Sequence, residues 1–412
     1  MNDLPLPLLL DGATGTQLQK RGMPSGVCTE QWVLEHPQVL QDIQRAYVEA
    51  GSDVIYAPTF GANAASLSHH GVEAGQVADY NRRLVAITRE AVGERALVAG
   101  DLSPTGLFVI PFGEATFEEL VDIYRQQARA LAEAGVDLFA VETAMTLPEA
   151  RAAVLAIREV SDKPVFVTFT CDANGKTLSG TDVLAAMIVM QGMGVSAFGL
   201  NCSTGPEGML EQLRRLTPYA QVPLIAKPNA GLPQVVDGRT EYRCPPEEFT
   251  ALVEELARAG VRIFGGCCGT TEAHIAALRA AVDRVDFSQF APPPHDPDVI
   301  PCATEKEARF ITPDVDVGKT IACSPDLMED ILDAEDEPTG ALKIAILEPD
   351  DVELFAENQY AITEALCLYS DVPELLEQAV RAYHGRAFYD GTGEIDRETL
   401  DRLKERYGLV EL

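Results

Sequence analysis

The chain has 412 residues, 46% of them hydrophobic and 23% charged, a globular balance that suits one large domain or two. Its formal net charge of −32 excludes a phosphate-reading surface, which needs lysine and arginine, and speaks against anionic membranes, so neither nucleic acid nor membrane is an expected partner. The opening MNDLPLPLLLDG lacks a basic leader region, and no stretch reaches the ~20 apolar residues of a membrane span, so the expected location is the cytoplasm. In a reducing compartment the nine cysteines are expected to be thiols, metal ligands or buried apolar groups.

In chain order, eight short apolar, β-branched-rich runs are predicted as strands: 6–10, 54–57, 96–99, 138–141, 165–169, 197–200, 224–226 and 262–264. Helical spacing follows most of them, over 39–50, 117–134, 149–160, 206–216, 247–259 and 271–282. Alternating strands and helices imply an α/β fold with a parallel sheet, and eight such units predict a closed (β/α)8 TIM barrel over residues 1–288. The alternative, an open doubly wound sheet, calls for a glycine-rich phosphate loop after the first strand, and Asp11-Gly12-Ala13-Thr14-Gly15 does not carry that pattern. Residues 289–300, with APPPHDP at 291–297, predict a stiff Pro-rich linker. Beyond it, residues 301–412 hold 27 acidic against 10 basic side chains, a net of −17. The part from 301 to 340 is expected to be loop-rich and partly disordered, with Glu329–Glu337 a solvated, flexible run. Strands over 343–347, 365–369, 387–389 and 409–411, with helices over 351–362, 372–383 and 397–407, then predict a small C-terminal β/α domain.

Chemistry in such a barrel sits at the C-terminal ends of the strands. There the sequence places Asp11-Gly12, Pro58-Thr59-Phe60, Asp101, Glu142-Thr143, Cys171-Asp172, Asn201-Cys202-Ser203, Lys227-Pro228-Asn229 and Gly266-Cys267-Cys268-Gly269. Two adjacent cysteines beyond the eighth strand can aim at one point only where the chain leaves the regular alternation of a strand, and the flanking glycines permit that turn. With Cys202 from the sixth strand they would give three thiolates and one open position, the donor set of catalytic zinc. The competing reading is three inert buried cysteines. Cys28, Cys171, Cys244, Cys302, Cys323 and Cys367 lack paired spacing and are read as ordinary thiols. His69-His70 is read as a solvated helix end, and His274 as a supporting or surface group.

The stretches DGATGTQLQKRG, PTFGAN, GDLSPTG, LNCSTGPE, KPNAGLP and GGCCGTTEAHI resemble the homocysteine S-methyltransferase family, above all the homocysteine-binding module of cobalamin-dependent methionine synthases, over about residues 6–285. The resemblance implies a (β/α)8 barrel, Zn2+ on Cys202, Cys267 and Cys268, and homocysteine as methyl acceptor. It makes Asp11 and Glu142 candidates for the substrate ammonium, with Asn201 and Ser203 assisting beside the metal and Asp101 and Asn229 in weaker support. The competing readings are a turn residue for Asp11, an ion-pair partner inside the barrel for Glu142, and strand-end caps for Asp101 and Asn229. Thr59 and Phe60 are candidates for shaping the pocket. Family members draw the methyl group from S-adenosylmethionine, S-methylmethionine, betaine or a methyl-corrinoid. The resemblance favours methylcobalamin or another corrinoid, and with no DxHxxG stretch in the chain the corrinoid is expected on a separate protein. The segment LLEQAVRAYHGRAFYDG is faintly similar to part of a pterin-binding barrel, and the C-terminal domain is expected to dock that corrinoid protein. A selenol such as selenocysteine as acceptor, or a non-catalytic zinc-binding regulatory module, are the other readings.

Overall fold

A computed structural model describes residues 4–236, 239–291, 294 and 296–412. Residues 292, 293 and 295 of the expected linker lie outside the described residues. Eight parallel strands form one sheet: Leu8–Leu9, Val54–Tyr56, Leu97–Leu102, Leu138–Ala144, Val165–Phe169, Ala197–Asn201, Leu224–Lys227 and Val261–Phe264. Each lies beside its neighbour in sequence from the second to the eighth, and the first pairs with the eighth. The remaining seam, between the first and second strands, is closed by few groups. Asp53 N–H donates to Leu9 O at 2.7 Å, the Asp53 carboxylate accepts from Leu9 N–H at 2.7 Å, and the Asp11 carboxylate accepts from Tyr56 N–H at 2.9 Å. The expected (β/α)8 barrel is therefore the observed fold.

Alternation along the strands sorts the side chains. Leu8, Leu10, Val54, Tyr56, Ala99, Leu138, Ala140, Phe166, Ala197, Ile225 and Ile263 fill the interior. Their neighbours on the other face pack against the surrounding helices. One more step of two residues toward the C-terminal ends brings the inward rows from Ala99, Ala140 and Ile225 to Asp101, Glu142 and Lys227, and two steps past Ala197, through Gly199, bring Asn201, so polar groups cap an apolar plug.

Most of the barrel helices are amphipathic, for example Pro37–Glu49 and Phe117–Glu133. Two are not. Leu147–Arg158 and Val183–Gly192 are buried almost all round, which requires cover on both sides. The C-terminal unit supplies the second cover. It contains an antiparallel hairpin, Ile300–Ala303 with Ala308–Ile311, and a five-stranded parallel sheet, Thr320–Ala322, Leu342–Ala345, Leu366–Tyr369, Phe388–Tyr389 and Val410–Glu411, in sequential order. Arg151, fully buried, donates to the carbonyls of Val380 at 3.2 Å and Arg381 at 3.2 Å, capping the helix Pro373–Ala382. Gly408 turns at φ 77° so close to Gly192 that a Cβ there would lie 2.7 Å from the Gly192 carbonyl carbon.

Two expectations are corrected. The acidic stretch read as flexible contains the helix Leu327–Glu335, because Leu327 and Ile331, one turn apart, bury their side chains while the acids face water. The helix expected over 247–259 is two short ones, Pro246–Phe249 and Val253–Arg258; between them the Thr250 hydroxyl donates to Pro246 O at 3.0 Å, competing with the backbone ladder.

Arg151→Met should lower stability by about 3 kcal/mol in denaturant unfolding, since it leaves two buried carbonyls without a donor. Arg151→Lys should restore little of it, lacking the forked donors.

Candidate active site

The strand ends surround a cavity of about 310 Å³. Asp11, Tyr56, Phe60, Asp101, Glu142 and the three cysteines line it, together with Glu30, Thr143 and Lys227. Cys202 follows the sixth strand, and Cys267-Cys268 the eighth. Their three sulfur atoms all lie within 4.8 Å of one another, and a small closing movement would bring them to the ~3.8 Å that zinc–sulfur bonds of ~2.3 Å set in a tetrahedron. The double-cysteine turn is fixed by Cys267 N–H to Pro228 O at 2.8 Å and by Ala230 N–H to Cys268 O at 2.9 Å. Gly269, at φ 82°, lies against the Tyr242 ring, where a Cβ would come within 2.3 Å of it.

Charge crowding is the governing property of this cluster. The neighbouring Cys267 and Cys268 thiols draw the Cys202 thiol well below its ordinary range, while Cys202 in turn pushes Cys267 well up and Cys268 up. Three thiolates so placed would repel one another. Holding three thiolates needs a cation among them, so the donor set fits a soft divalent metal such as zinc.

Backbone strain marks the same place. Among the described residues the non-glycine positions with positive φ are Thr143 at 61°, Cys202 at 61° and Ser203 at 55°, a conformation that costs ~1–3 kcal/mol each. Asn201 secures Thr143 from both sides: its Oδ1 accepts from Thr143 N–H at 3.0 Å, and its Nδ2 donates to Thr143 Oγ1 at 2.7 Å. Asn201 Nδ2 also reaches the Cys267 sulfur at 3.8 Å.

Opposite the cysteines lies an acidic wall with one base. Lys227 Nζ, buried, donates to Glu142 Oε1 at 2.6 Å, stands 3.6 Å from Asp11 Oδ1, and sits 3.9 Å from the centroid of the Tyr56 ring. Burial works against its charge, but Glu142, Tyr56 and Asp11 outweigh it and hold the ammonium well above its ordinary range. Burial raises Asp11 to about 6, against Lys227 and the Tyr56 N–H bond. Burial, then Glu142, lifts Asp101 well up. One oxygen of Asp11 and one of Asp101 have no hydrogen-bond partner.

Of the residues singled out in the sequence, Cys202, Cys267, Cys268, Asp11, Glu142, Asp101 and Phe60 meet at this cavity. Ser203, Asn201, Asn229 and Thr59 do not line it. Ser203 Oγ faces Thr170 Oγ1 and accepts from Cys171 N–H at 3.2 Å. Asn229 is buried with an unpartnered Oδ1, and Thr59 exchanges hydrogen bonds with the backbone of Asp101 at 2.9 and 3.0 Å. Sequence reasoning placed Lys227 at a strand end without giving it a role, and missed Tyr56 and Glu30. That role was within reach, since Lys227 lies two residues past inward-facing Ile225. His274 is buried at the start of the last barrel helix, with Nδ1 on Thr271 and Nε2 on Cys244 O at 2.9 Å.

Comparison with known proteins bears directly on this geometry. The sequence profile described as Homocysteine S-methyltransferase matches residues 8–282. The chain belongs to the homocysteine S-methyltransferase family. It is 36% identical over 294 residues to a methionine synthase of Mycobacterium leprae (strain TN), covering 66% of this chain and 24% of that protein. To a methionine synthase of Mycobacterium tuberculosis (strain ATCC 25618 / H37Rv) it is 35% identical over 295 residues, covering 67% and 24%. The chain thus spans about a quarter of the length of these relatives. Among solved structures, the homocysteine methyltransferase MmuM from Escherichia coli in its metallated form superposes with a TM-score of 0.57 at 26% identity, over 66% of this chain and 95% of that one. The matched region spans the barrel of this family member and includes Cys202, Cys267 and Cys268. No helix among the described residues is long and apolar enough to cross a membrane.

Lys227→Met should show what the lone base does. Burial raises Asp11 from 3.8 to about 6, so its protonated form is the one the fold favours. That contribution is full below pH 3.8 and is lost as pH rises through about 6. Without Lys227 the ionised carboxylates are uncompensated, so the variant should lose about 3–5 kcal/mol at pH 8 and much less at pH 5. Denaturant unfolding of both proteins across that range checks it; a pH-independent difference would contradict the charge account.

Proposed function

We propose that the chain transfers a methyl group to the thiol of homocysteine, giving methionine, at a zinc ion held by Cys202, Cys267 and Cys268. The observation that carries this reading is the sharing of one cavity by three clustered thiols and an acidic wall with unpartnered carboxylate oxygens. A free thiol, with a pKa near ~8.5, is mostly protonated at neutral pH; zinc, when bound, would hold the substrate sulfur as thiolate. Asp11 and Asp101 would take the substrate ammonium, which gives their bare oxygens a partner and favours their charged forms. Glu142, tied to Lys227, would complete the charge balance, and the Thr14 and Thr29 hydroxyls on the cavity wall would meet the carboxylate. Asn201 would keep Thr143 and the cysteine rim in place, and Asn229, beside Cys202, would support the same rim. Ser203 would act on Cys202 from outside the cavity rather than on the substrate.

The proposed donor is a methyl-corrinoid carried by a separate protein. The stronger similarity to methionine synthases, 35–36% against 26% for MmuM, supports it. S-adenosylmethionine or S-methylmethionine is the alternative. Metal analysis should find about one zinc per chain. Cys267→Ser should lose the zinc and lower methionine formation by more than about 100-fold, beyond what loss of a merely supporting residue causes. Assays with homocysteine and each donor in turn decide among the donors; a metal-free chain inert with all of them would sink the reading.

Asp11 gives a second test. With its carboxyl near 6, homocysteine binding should strengthen as pH rises through that value, because the ammonium needs the ionised form. Asp11→Asn should bind more weakly, with the inflection near 6 gone. An unchanged KM–pH profile in that variant would remove Asp11 from the ammonium site.

A further inference from the structure

The turn of the C-terminal hairpin reaches back over the barrel. Residues 304–307 close on themselves: Thr304 N–H donates to Glu307 O at 2.9 Å, and Thr304 Oγ1 accepts from the amides of Lys306 at 3.2 Å and Glu307 at 3.0 Å. Glu305 is buried against His384 Nδ1 at 3.0 Å. Despite that burial, His384 and Lys306 hold its carboxyl down to about 2. The turn is therefore fixed to its own domain, and it presents Lys306 and Glu307 to the barrel.

Both engage the loop after the fifth strand, residues 170–182. Asp182 N–H donates to Lys306 O at 2.8 Å, Lys306 Nζ donates to Ser179 O at 2.8 Å, and Lys176 pairs with Glu307 at 2.6 Å. Lys306 Nζ also stands 5.6 Å from the ring centroid of Phe112, in the loop after the third strand. On its far side the 170–182 loop is tied to the helix that begins just past Cys202: Arg215 pairs with Asp182 at 2.8 Å, and Gln212 donates to Ala173 O at 2.8 Å. At its base, Cys171 N–H and Thr170 Oγ1 hold the hydroxyl of Ser203. Ser203 and Cys202 are the consecutive strained pair, at φ 55° and 61°.

We propose that the C-terminal domain positions the metal-binding Cys202, through Lys306 and the 170–182 loop. Strained backbone persists only where its surroundings over-determine it. The hydroxyl of Ser203 is held by the loop base, and the loop is clamped between the hairpin turn and the Pro206–Leu216 helix. Releasing the turn lets the loop relax, frees Ser203 and loosens Cys202, and a ligand that drifts weakens its metal. Lys306 touches neither metal nor substrate and is a positioning residue. The inference rests on the three cysteines being metal ligands.

The test uses the full chain loaded with zinc, as Lys306→Met, as Lys306→Arg, and with Lys319→Met, 88% exposed, as a control. Three quantities are measured: zinc transfer to a chelator, hydrogen–deuterium exchange over 171–183 and 203–204, and KM and kcat for homocysteine. Lys306→Met should release zinc about 10-fold faster, with faster exchange in both segments. Lys306→Arg should recover most of this, and the control should match the parent. Parental zinc release with parental exchange at 203–204 in Lys306→Met overturns the proposal. Should the parent chain itself hold no zinc, the metal reading fails; exchange at 203–204 then decides alone, faster supporting the coupling and unchanged refuting it. If Lys306→Met does not fold, Glu307→Gln, which breaks the Lys176 pair, is read by the same criteria.

Discussion

A single ammonium group sits where the charges of the barrel meet. Lys227 lies inside a wall of Asp11, Asp101 and Glu142, faces three thiols across the cavity, and is the one base among the described lining residues. In so dry a place an ionised carboxylate without a partner is costly, and it takes up a proton instead. Lys227 donates to Glu142 directly and stands 3.6 Å from Asp11 Oδ1, too far for a hydrogen bond, so that oxygen and one of Asp101 have no donor. The top of the barrel is thus one cation short on its carboxylate side. On its sulfur side, three thiols within 4.8 Å of one another likewise call for a cation. Both deficits open onto the same space, and this pairing gives the cavity its chemical direction.

How much of this the sequence carries depends on the range of the interactions. The eight strands, the order of the helices and the convergence of Cys202 with Cys267-Cys268 are legible, because periodicity and a glycine-flanked double cysteine are local signals. Lys227 is legible in principle through strand alternation. The left-handed backbone of Thr143, Cys202 and Ser203 is not, since none is a glycine and each is held by partners far along the chain, such as Asn201 and Thr170. Counting charges hid the helix Leu327–Glu335, whose two buried residues are outnumbered by acids. The run Val183–Gly192 was the missed clue to domain packing: a helix apolar on every side must have a second neighbour.

That neighbour is joined to the barrel by more than apolar contact. Arg151 ends a helix of the C-terminal unit from inside the barrel's own shell. Arg381 pairs with Glu118 at 2.6 Å and Glu159 at 3.0 Å, and Arg406 pairs with Glu159 at 3.2 Å. Exposed ion pairs contribute little singly. Around a buried guanidinium and a glycine–glycine approach they fix the register of the two surfaces. The family profile ends at residue 282, so only the C-terminal side of this attachment lies beyond the matched region, while Arg151, Glu118, Glu159 and Gly192 lie within it.

The seam of the barrel deserves a last thought, because Asp11 is one of its fasteners. One of its oxygens accepts the Tyr56 amide across the join between the first and second strands, and the other, 3.6 Å from Lys227 Nζ, has no hydrogen-bond donor. A cation arriving at the bare oxygen pulls on the same carboxylate that bridges the join. The lining of the cavity and the closure of the scaffold therefore share one carboxylate, so a substitution at this position touches both.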